Sequence, residues 1–162
     1  MKIVLVVSYL LGSLLLPNPF ADEESTISVI HAAPEKIHLN SVNGISLDDD
    51  METVVEKKGT PQRITVDRYF AEFQIYEYAD MNIIFRDNVM DSIEFDKEKS
   101  FLYLDESKIP VSIQTIRAAL GEPDFIAEDG LVFQRNEAVL KLFINPDNGD
   151  LDFISYYHIN SE

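Results

Sequence analysis

The sequence predicts an α+β protein built from two tandem units, each with one helix packed on an antiparallel β-meander in two layers. A short amphipathic segment that ends in Gly-x-Pro occurs twice, as "KKGTP" (57–61) and "LGEP" (120–123). Each copy is followed by short runs rich in β-branched and aromatic residues, separated by turn residues. Because element type, order and spacing agree, we expect a first α+β repeat over 36–97 and a second over 98–162.

Residues 1–21 have the layout of a secretory signal peptide. Lys2 is followed by an apolar run over 3–16, then by two prolines and the small residue Ala21. The run is short for a membrane span, so we expect cleavage after Ala21 and no stable membrane insertion afterwards. An uncleaved N-terminal anchor is the alternative. Residues 22–35, with a β-prone run at 26–29, are expected to form an N-terminal arm or strand.

In the first unit, a helix is predicted to begin at 48–50 and to end at Gly59. Acidic residues at its start and Lys57 and Lys58 in its last turn complement the helix dipole, and Gly59 suits a C-cap. Strands are predicted over 62–66, 70–78, 81–86 and 89–95. Asp80 and the pair at 87–88 mark the turns of this meander.

The second unit repeats the pattern, with a helix from about Ile109 that ends before Gly121. Strands are predicted over 124–128, 131–135, 138–144 and 151–159. The segment "NPDNGD" (145–150) has the chemistry of a type I turn closed by Gly149. Since about 60 residues are marginally stable alone, we expect the two units to lie side by side, sharing or extending a sheet.

The charge of the chain is strongly negative. The 162 residues carry 29 acidic and 13 basic residues and a net charge of −16; without residues 1–21 the charge is 12 − 29 = −17. Such a field repels nucleic acid and anionic membranes and favours another protein, a basic one, as partner. The sequence has no Cys, which excludes disulfides, thiol chemistry and a lipobox. Because exported proteins without disulfides are common in bacteria, we expect a bacterial source.

No motif supports catalysis or a cofactor. The Gly-x-Pro turns follow helices, whereas a phosphate-binding Gly loop precedes one. Calcium at 48–50 or 145–152 is an alternative to a helix start and a hairpin turn, but neither stretch has the spacing of a calcium loop. His31, His38 and His158 are scattered, and no serine lies in G-x-S-x-G. We therefore expect a protein that is not an enzyme and has no cofactor or metal.

The alternation of residues along the strands predicts a surface for protein binding. Residues that alternate with the core should lie on the sheet face away from the helices, here called the outer face. We expect Phe73, Ile75, Phe153 and Tyr157 in the core. The partner-binding candidates assigned to the outer face are Tyr76, Tyr78, Arg86, Met90, Lys141, Phe143, Tyr156 and His158. Aromatic residues and Met with a few cations are typical of interfaces. The alternative is a face covered by the N-terminal segment or by the other unit.

The repeated helix, Gly-x-Pro turn and meander resemble the β-lactamase-inhibitor-protein-like fold, which small outer-membrane assembly lipoproteins and many exported bacterial proteins share. The matching residues of the first copy are Gly44, Ile45, Leu47, Asp50, Val54, Gly59 and Pro61. Those of the second are Ile109, Ser112, Ile116, Leu120, Gly121 and Pro123. Lys58 replaces a usual Leu, and the lipobox and the inhibitor's cysteines are absent. The resemblance implies a non-catalytic module that binds protein through its sheet face, although fold alone does not fix function.

Three functions remain open from the sequence. The first is an exported protein-binding or inhibitor-like module that uses the outer face. The second is a cell-envelope assembly or stress scaffold. The third is a metal-dependent or enzymatic protein.

Overall fold

The computed structural model describes residues 36–66 and 72–161, which contain ten short strands, two eight-residue α-helices and a 3-10 helix at Ile159–Ser161. The helices are α1 (Met51–Lys58) and α2 (Ile113–Leu120). The strands are β1 (Arg63–Val66), β2 (Phe73–Glu77), β3 (Asn82–Arg86), β4 (Val89–Asp96), β5 (Phe101–Leu104), β6 (Ser107–Pro110), β7 (Phe125–Ala127), β8 (Gly130–Arg135), β9 (Ala138–Ile144) and β10 (Leu151–His158). The predictions for residues 1–21 and 22–35 lie outside the described residues.

Eight of the strands form one antiparallel sheet in the order β1-β2-β3-β4-β10-β9-β8-β7. The meander β1–β4 therefore joins the meander β7–β10 through the pairing of β4 with β10, in which Ile93 lies opposite Tyr156. Strands β5 and β6 form a separate hairpin. Hydrogen bonding across the β4–β10 junction makes the sheet continuous.

This arrangement corrects the predicted fold class. The protein is mostly β, with one large sheet, one small hairpin and only two short helices, and it is not a pair of tandem helix-on-meander units. The helices are too short to form a layer over each meander. Val54 is the buried residue of α1, and Ile116 and Leu120 are those of α2. All three belong to the same core cluster.

Both helices have the caps that their sequences indicate. The side chain of Asp50 accepts a hydrogen bond from the N–H of Thr53 at the start of α1, and Ser112 accepts one from Thr115 at the start of α2. Gly59 and Gly121 follow the two helices with φ of 79° and 90°, where a side chain would be strained. The prediction that the Gly-x-Pro turns end helices is thus confirmed.

The segment 36–47, the hairpin and the helices cover one side of the sheet. Ile37, Leu39, Val42, Ile45 and Leu47 of this segment are buried with sheet residues in a single core cluster. The carboxylate of Asp105, between β5 and β6, holds the segment through three backbone N–H groups: His38 and Asn40 at 2.7 Å each and Ser41 at 3.2 Å. The hairpin and segment therefore cover the core as one hydrogen-bonded layer.

The strand predictions are accurate in position, while the hairpin was missed. Each predicted strand of the large sheet is present within three residues at either end, and β9 matches 138–144. Strands β5 and β6 were not predicted. Helix α2 begins at Ile113, later than predicted, because Ile109 and Pro110 belong to β6 and Ser112 is the N-cap.

Candidate functional site

The outer face lies on the opposite side of the sheet from the core cluster. It carries the residues that alternate with the buried rows, among them Ile75, Ile84, Glu94, Lys141 and Phe143. Among the described residues, the buried side chains of both helices and the hairpin belong to the core cluster. The outer face is therefore the surface on which to look for a binding site.

A stacked aromatic pair lies near one end of this face. Phe143 on β9 pairs with Phe153 on β10, and their rings are nearly parallel, 10° apart with centroids separated by 4.1 Å. The ammonium group of Lys141 is 4.3 Å from the centroid of Phe143 and 2.9 Å from a carboxylate oxygen of Asp129. Contacts with both groups hold Lys141 along the sheet, so that its charge is already neutralised.

Glu94 lies next to this pair, on β4. It pairs with Ser155 of β10 on one side and with Asn82 of β3 on the other. Among the described residues, its carboxylate makes no hydrogen bond or ion pair, and partial burial raises its pKa above the ordinary 4.5. A cavity of about 350 Å³ is lined by Glu94, Asp96 and Phe153, among others, and by Lys97, whose ammonium pairs with Asp152 at 3.4 Å. We call Glu94, Lys141, Phe143 and Phe153 the outer-face cluster.

Three of the candidates predicted from the sequence lie on the outer face: Arg86, Lys141 and Phe143. The guanidinium of Arg86 is 2.7 Å from a carboxylate oxygen of Asp91 and 5.6 Å from the ring centroid of Phe73. Lys141 and Phe143 belong to the outer-face cluster, while Arg86 lies at another part of the sheet, on β3. The structure therefore does not bring all the candidates together.

Tyr76 and Met90 were predicted on the outer face, and the structure corrects both. Tyr76 is only 9% exposed and packs edge-on against the core residue Phe85 at 5.1 Å between centroids. Met90 is 4% exposed because the β3–β4 register shifts between Ile84 and Phe85, which places Met90 opposite Phe85. Ile75 and Phe73 lie on the outer face instead.

Tyr156 is also a core residue, contrary to the prediction. It is 1% exposed, and its hydroxyl donates a 2.7 Å hydrogen bond to the carbonyl of Leu39. Burial is the main cause of its strongly raised pKa. Ile154 and Tyr156 face the core, so that the predicted core residues Phe153 and Tyr157 belong to the outer face.

Tyr78 and His158 have structural contacts at the rim of the core. The hydroxyl of Tyr78 donates to the carbonyl of Gly59 at 3.1 Å, and burial raises its pKa. Nε2 of His158 is 3.7 Å from a carboxylate oxygen of Asp48. His158 and His38 line one cavity of about 400 Å³. Neither Tyr78 nor His158 is part of the outer-face cluster.

The acidic stretches considered for calcium have local partners. Asp49 binds the ammonium of Lys57 at 2.7 Å, and Asp50 caps α1. In 145–150, the N–H of Asn145 donates to the carbonyl of Asp150 at 2.8 Å, which closes a turn. Within residues 36–66 and 72–161, no group of three or more His, Asp or Glu side chains is placed to hold a metal ion.

Two residues of the outer-face cluster were missed as candidates. Glu94 was not among the candidates, because its lack of a cation partner depends on contacts between strands. Phe153 was assigned to the core, since β10 is apolar on both faces and its alternation has no sequence signal. The run of aromatic residues in β10 was the one available indication.

No helix in the described part of the chain is both long enough and apolar enough to cross a membrane.

Comparison with known proteins gives a fold likeness and no family. No protein-family model and no curated protein matches the chain. An extracellular protein with an SCP domain from Bacillus anthracis is similar in structure, with a TM-score of 0.51, 11% identity and coverage of 71% of this chain and 45% of that one. A cysteine-rich secretory protein from Staphylococcus aureus has a TM-score of 0.48, 11% identity and coverage of 70% and 44%.

A DUF4309 family protein from Bacillus subtilis has a TM-score of 0.44 and 13% identity, with coverage of 71% of this chain and 82% of that one. The chain thus spans less than half the length of the first two proteins. The resemblance to β-lactamase-inhibitor-like proteins stays a prediction. What the comparisons show is a chain similar in part of its fold to one protein described as extracellular.

Proposed function

We propose that the protein is an exported, non-catalytic module that binds a basic protein through its outer face. The observation that carries the proposal is the position of Glu94, a partly buried carboxylate without a cation partner, beside the stacked rings of Phe143 and Phe153. A Lys or Arg side chain of a partner would supply the missing cation. Its aliphatic stem would contact the aromatic surface.

The charges of the outer face support a basic partner. Its cations have partners within the chain: Arg63 pairs with Glu77, Arg86 with Asp91 and Lys141 with Asp129. Among the described residues of β4 on this face, Glu94 and Asp96 are carboxylates without a cation partner, and Glu94 is the one with a pKa raised by burial. The net charge of −17 without residues 1–21 adds a long-range attraction that would raise the association rate of a basic protein.

Export is supported by the signal-peptide layout of residues 1–21 and is compatible with the extracellular structural neighbour. An inhibitor-like role would need the partner to be an enzyme whose activity falls on binding.

The test is affinity capture from the medium and envelope extract of the source cell, with the immobilised protein and two variants. We expect the unmodified protein to retain a basic protein that is released as salt rises from about 0.05 to 0.5 M. Glu94→Gln and Phe143→Ala should each lose it. Glu106→Gln is the matched control, because Glu106 is exposed at the turn between β5 and β6. Unfolding midpoints of all variants check that folding is retained.

Two results would contradict the proposal. One is a retained protein that both outer-face variants keep as well as the control does. The other is a retained protein that is acidic.

A further inference from the structure

The hairpin exposes aromatic rings on the surface that points away from the core. Phe101 and Tyr103 on β5 are 43% and 39% exposed, and their rings meet edge to face with centroids 5.7 Å apart. The ammonium of Lys108, on β6, lies 3.6 Å from the centroid of Phe101. Leu102 and Leu104 point the other way and are fully buried.

This aromatic surface also holds most of the cations that lack an ion pair. Among the described Lys and Arg residues, only Lys36, Lys99 and Lys108 have no carboxylate within 4.0 Å. Lys99 donates a 2.7 Å hydrogen bond to the carbonyl of Ala79, which leaves its charge in place. We call Lys99, Phe101, Tyr103 and Lys108 the hairpin surface. It is a positive, aromatic surface on a strongly acidic protein.

A surface of the opposite charge lies at the β7 edge of the sheet. Phe125 and Ile126 are 60% and 79% exposed on β7, the last strand of the described sheet, and they flank this edge from its two opposite faces. Sheet edges of soluble proteins usually carry charges where they meet solvent, so two exposed apolar side chains here indicate a contact. Glu122 is exposed beside them and binds the guanidinium of Arg117, while Glu128 is exposed and makes no ion pair with a described residue. We call these four residues the β7 edge surface.

We propose that the hairpin surface of one copy of this chain docks on the β7 edge surface of a second copy. Phe101 and Tyr103 would pack around the edge of β7, against Phe125 on one face of the sheet and Ile126 on the other. The two lysines would face Glu128 and Glu122, the second of which also binds Arg117. The contact accounts for both exposed apolar surfaces and for the two unpaired lysines. Because the two surfaces differ, the contact is heterologous, and each added copy leaves one surface of each kind open.

The net charge sets how this association depends on salt. Two copies of a chain with a net charge of −16, or −17 without residues 1–21, repel each other over distances longer than the contact. Salt screens that repulsion beyond a Debye length of about 10 Å at 0.1 M. Self-association therefore strengthens as salt rises from low to moderate concentration. Binding of a basic protein to the outer face weakens over the same range. The two interactions use different residues and respond oppositely to salt.

The test is sedimentation equilibrium of the purified protein over a range of concentrations. We expect the mean mass to rise with concentration, and to rise at fixed concentration between about 0.02 and 0.15 M salt. Lys99→Glu with Lys108→Glu should weaken association by about tenfold or more, since two opposite-charge contacts become like-charge ones. Glu122→Lys with Glu128→Lys should do the same.

The variant with all four substitutions carries swapped charges on both surfaces and should regain association to within about threefold of the original, a difference under 1 kcal/mol. Circular dichroism of each variant checks the fold. A protein that stays monomeric, or one whose association neither double variant weakens, overturns the proposal. The proposal is also overturned if the variant with all four substitutions associates no more tightly than the double variants. An acidic foreign protein held by the hairpin surface of a monomeric chain would also overturn it.

Discussion

The carboxylate of Asp105 joins the segment 36–47 to the hairpin through hydrogen bonds. The substitution Asp105→Asn tests how much these hydrogen bonds contribute to stability. Oδ1 accepts the N–H groups of Asn40 and Ser41, while Oδ2 accepts that of His38. An asparagine keeps one oxygen and puts an NH₂ group against a backbone donor on the other side. The backbone at Asp105 has φ of 52°, which Asn tolerates better than other non-glycine residues. The substitution therefore removes a hydrogen bond without adding backbone strain.

The expected loss follows from that one contact. A hydrogen bond to a charged group contributes about 1.5–3 kcal/mol net, and the partial exposure of this site favours the lower end. We expect the free energy of unfolding to fall by about 1.5 kcal/mol, which corresponds to a decrease in Tm of about 4–6 °C for a domain of this size. Asp105→Ala, which loses all three bonds and the tolerance for positive φ, should cost about twice as much.

Urea unfolding followed by circular dichroism gives the free energy, and hydrogen exchange of the three amides locates the effect. Glu106→Gln is the neighbouring control and should stay within about 0.5 kcal/mol of the original protein. If Asp105→Asn is as stable as this control, or if the amides of residues 38, 40 and 41 exchange at unchanged rates, the carboxylate does not hold the segment.

Three further substitutions test the core and the outer face. Tyr156→Phe should lower stability by about 1–2 kcal/mol in urea unfolding, because the buried carbonyl of Leu39 loses its donor; an unchanged midpoint would contradict this. Gly130→Ala should lower the free energy of unfolding by about 3 kcal/mol, since its Cβ would lie 2.0 Å from the backbone oxygen of Leu142. Calorimetry measures the resulting fall in Tm, and a Tm that does not fall would show that β8 shifts freely. Burial raises the pKa of Glu94, so the native state loses stability as pH rises through that pKa and the carboxylate becomes charged. Glu94→Gln removes this charge and should therefore raise the free energy of unfolding at pH 7. The gain should shrink as pH falls towards 4.5, and a gain that is constant with pH would rule out this cause.

Strand positions could be predicted from the sequence because their signals are local. In β9, apolar residues run from Ala138 to Ile144 between turn residues, and the strand has those bounds. The capping residues Asp50 and Ser112 and the glycines that follow each helix likewise act within one turn.

The face of each strand could be predicted only where polar residues alternate with apolar ones. Residues 153–157 of β10 are apolar or aromatic except for Ser155, so both assignments of the faces looked equally apolar. The register with β4 and β9 decides the matter by placing Tyr156 opposite Ile93 and Leu140. Met90 was misplaced for a related reason, since the register shift in the β3–β4 pair has no local signal.

Long-range pairing explains why the predicted fold class was wrong, and concealed alternation explains why the hairpin was missed. The two Gly-x-Pro segments indicated two units, but the pairing of β4 with β10 depends on residues far apart in sequence. In β5, four consecutive apolar residues conceal an alternation in which Phe101 and Tyr103 are exposed and Leu102 and Leu104 are buried. The outer-face cluster combines β4, β9 and β10, so its composition could not be derived before the strand order was known.

The β4–β10 junction has a consequence for the order in which the chain can fold. Strand β4 has β3 as a neighbour early in synthesis, but its other edge stays unpaired until β10, the last strand of the sheet, has emerged. A nascent chain that stops before β10 thus exposes the edge of β4 and a core that lacks Ile154 and Tyr156. We therefore expect sheet closure to be a late, slow step with high contact order. A protein that must be threaded unfolded through a secretion channel would gain from that delay.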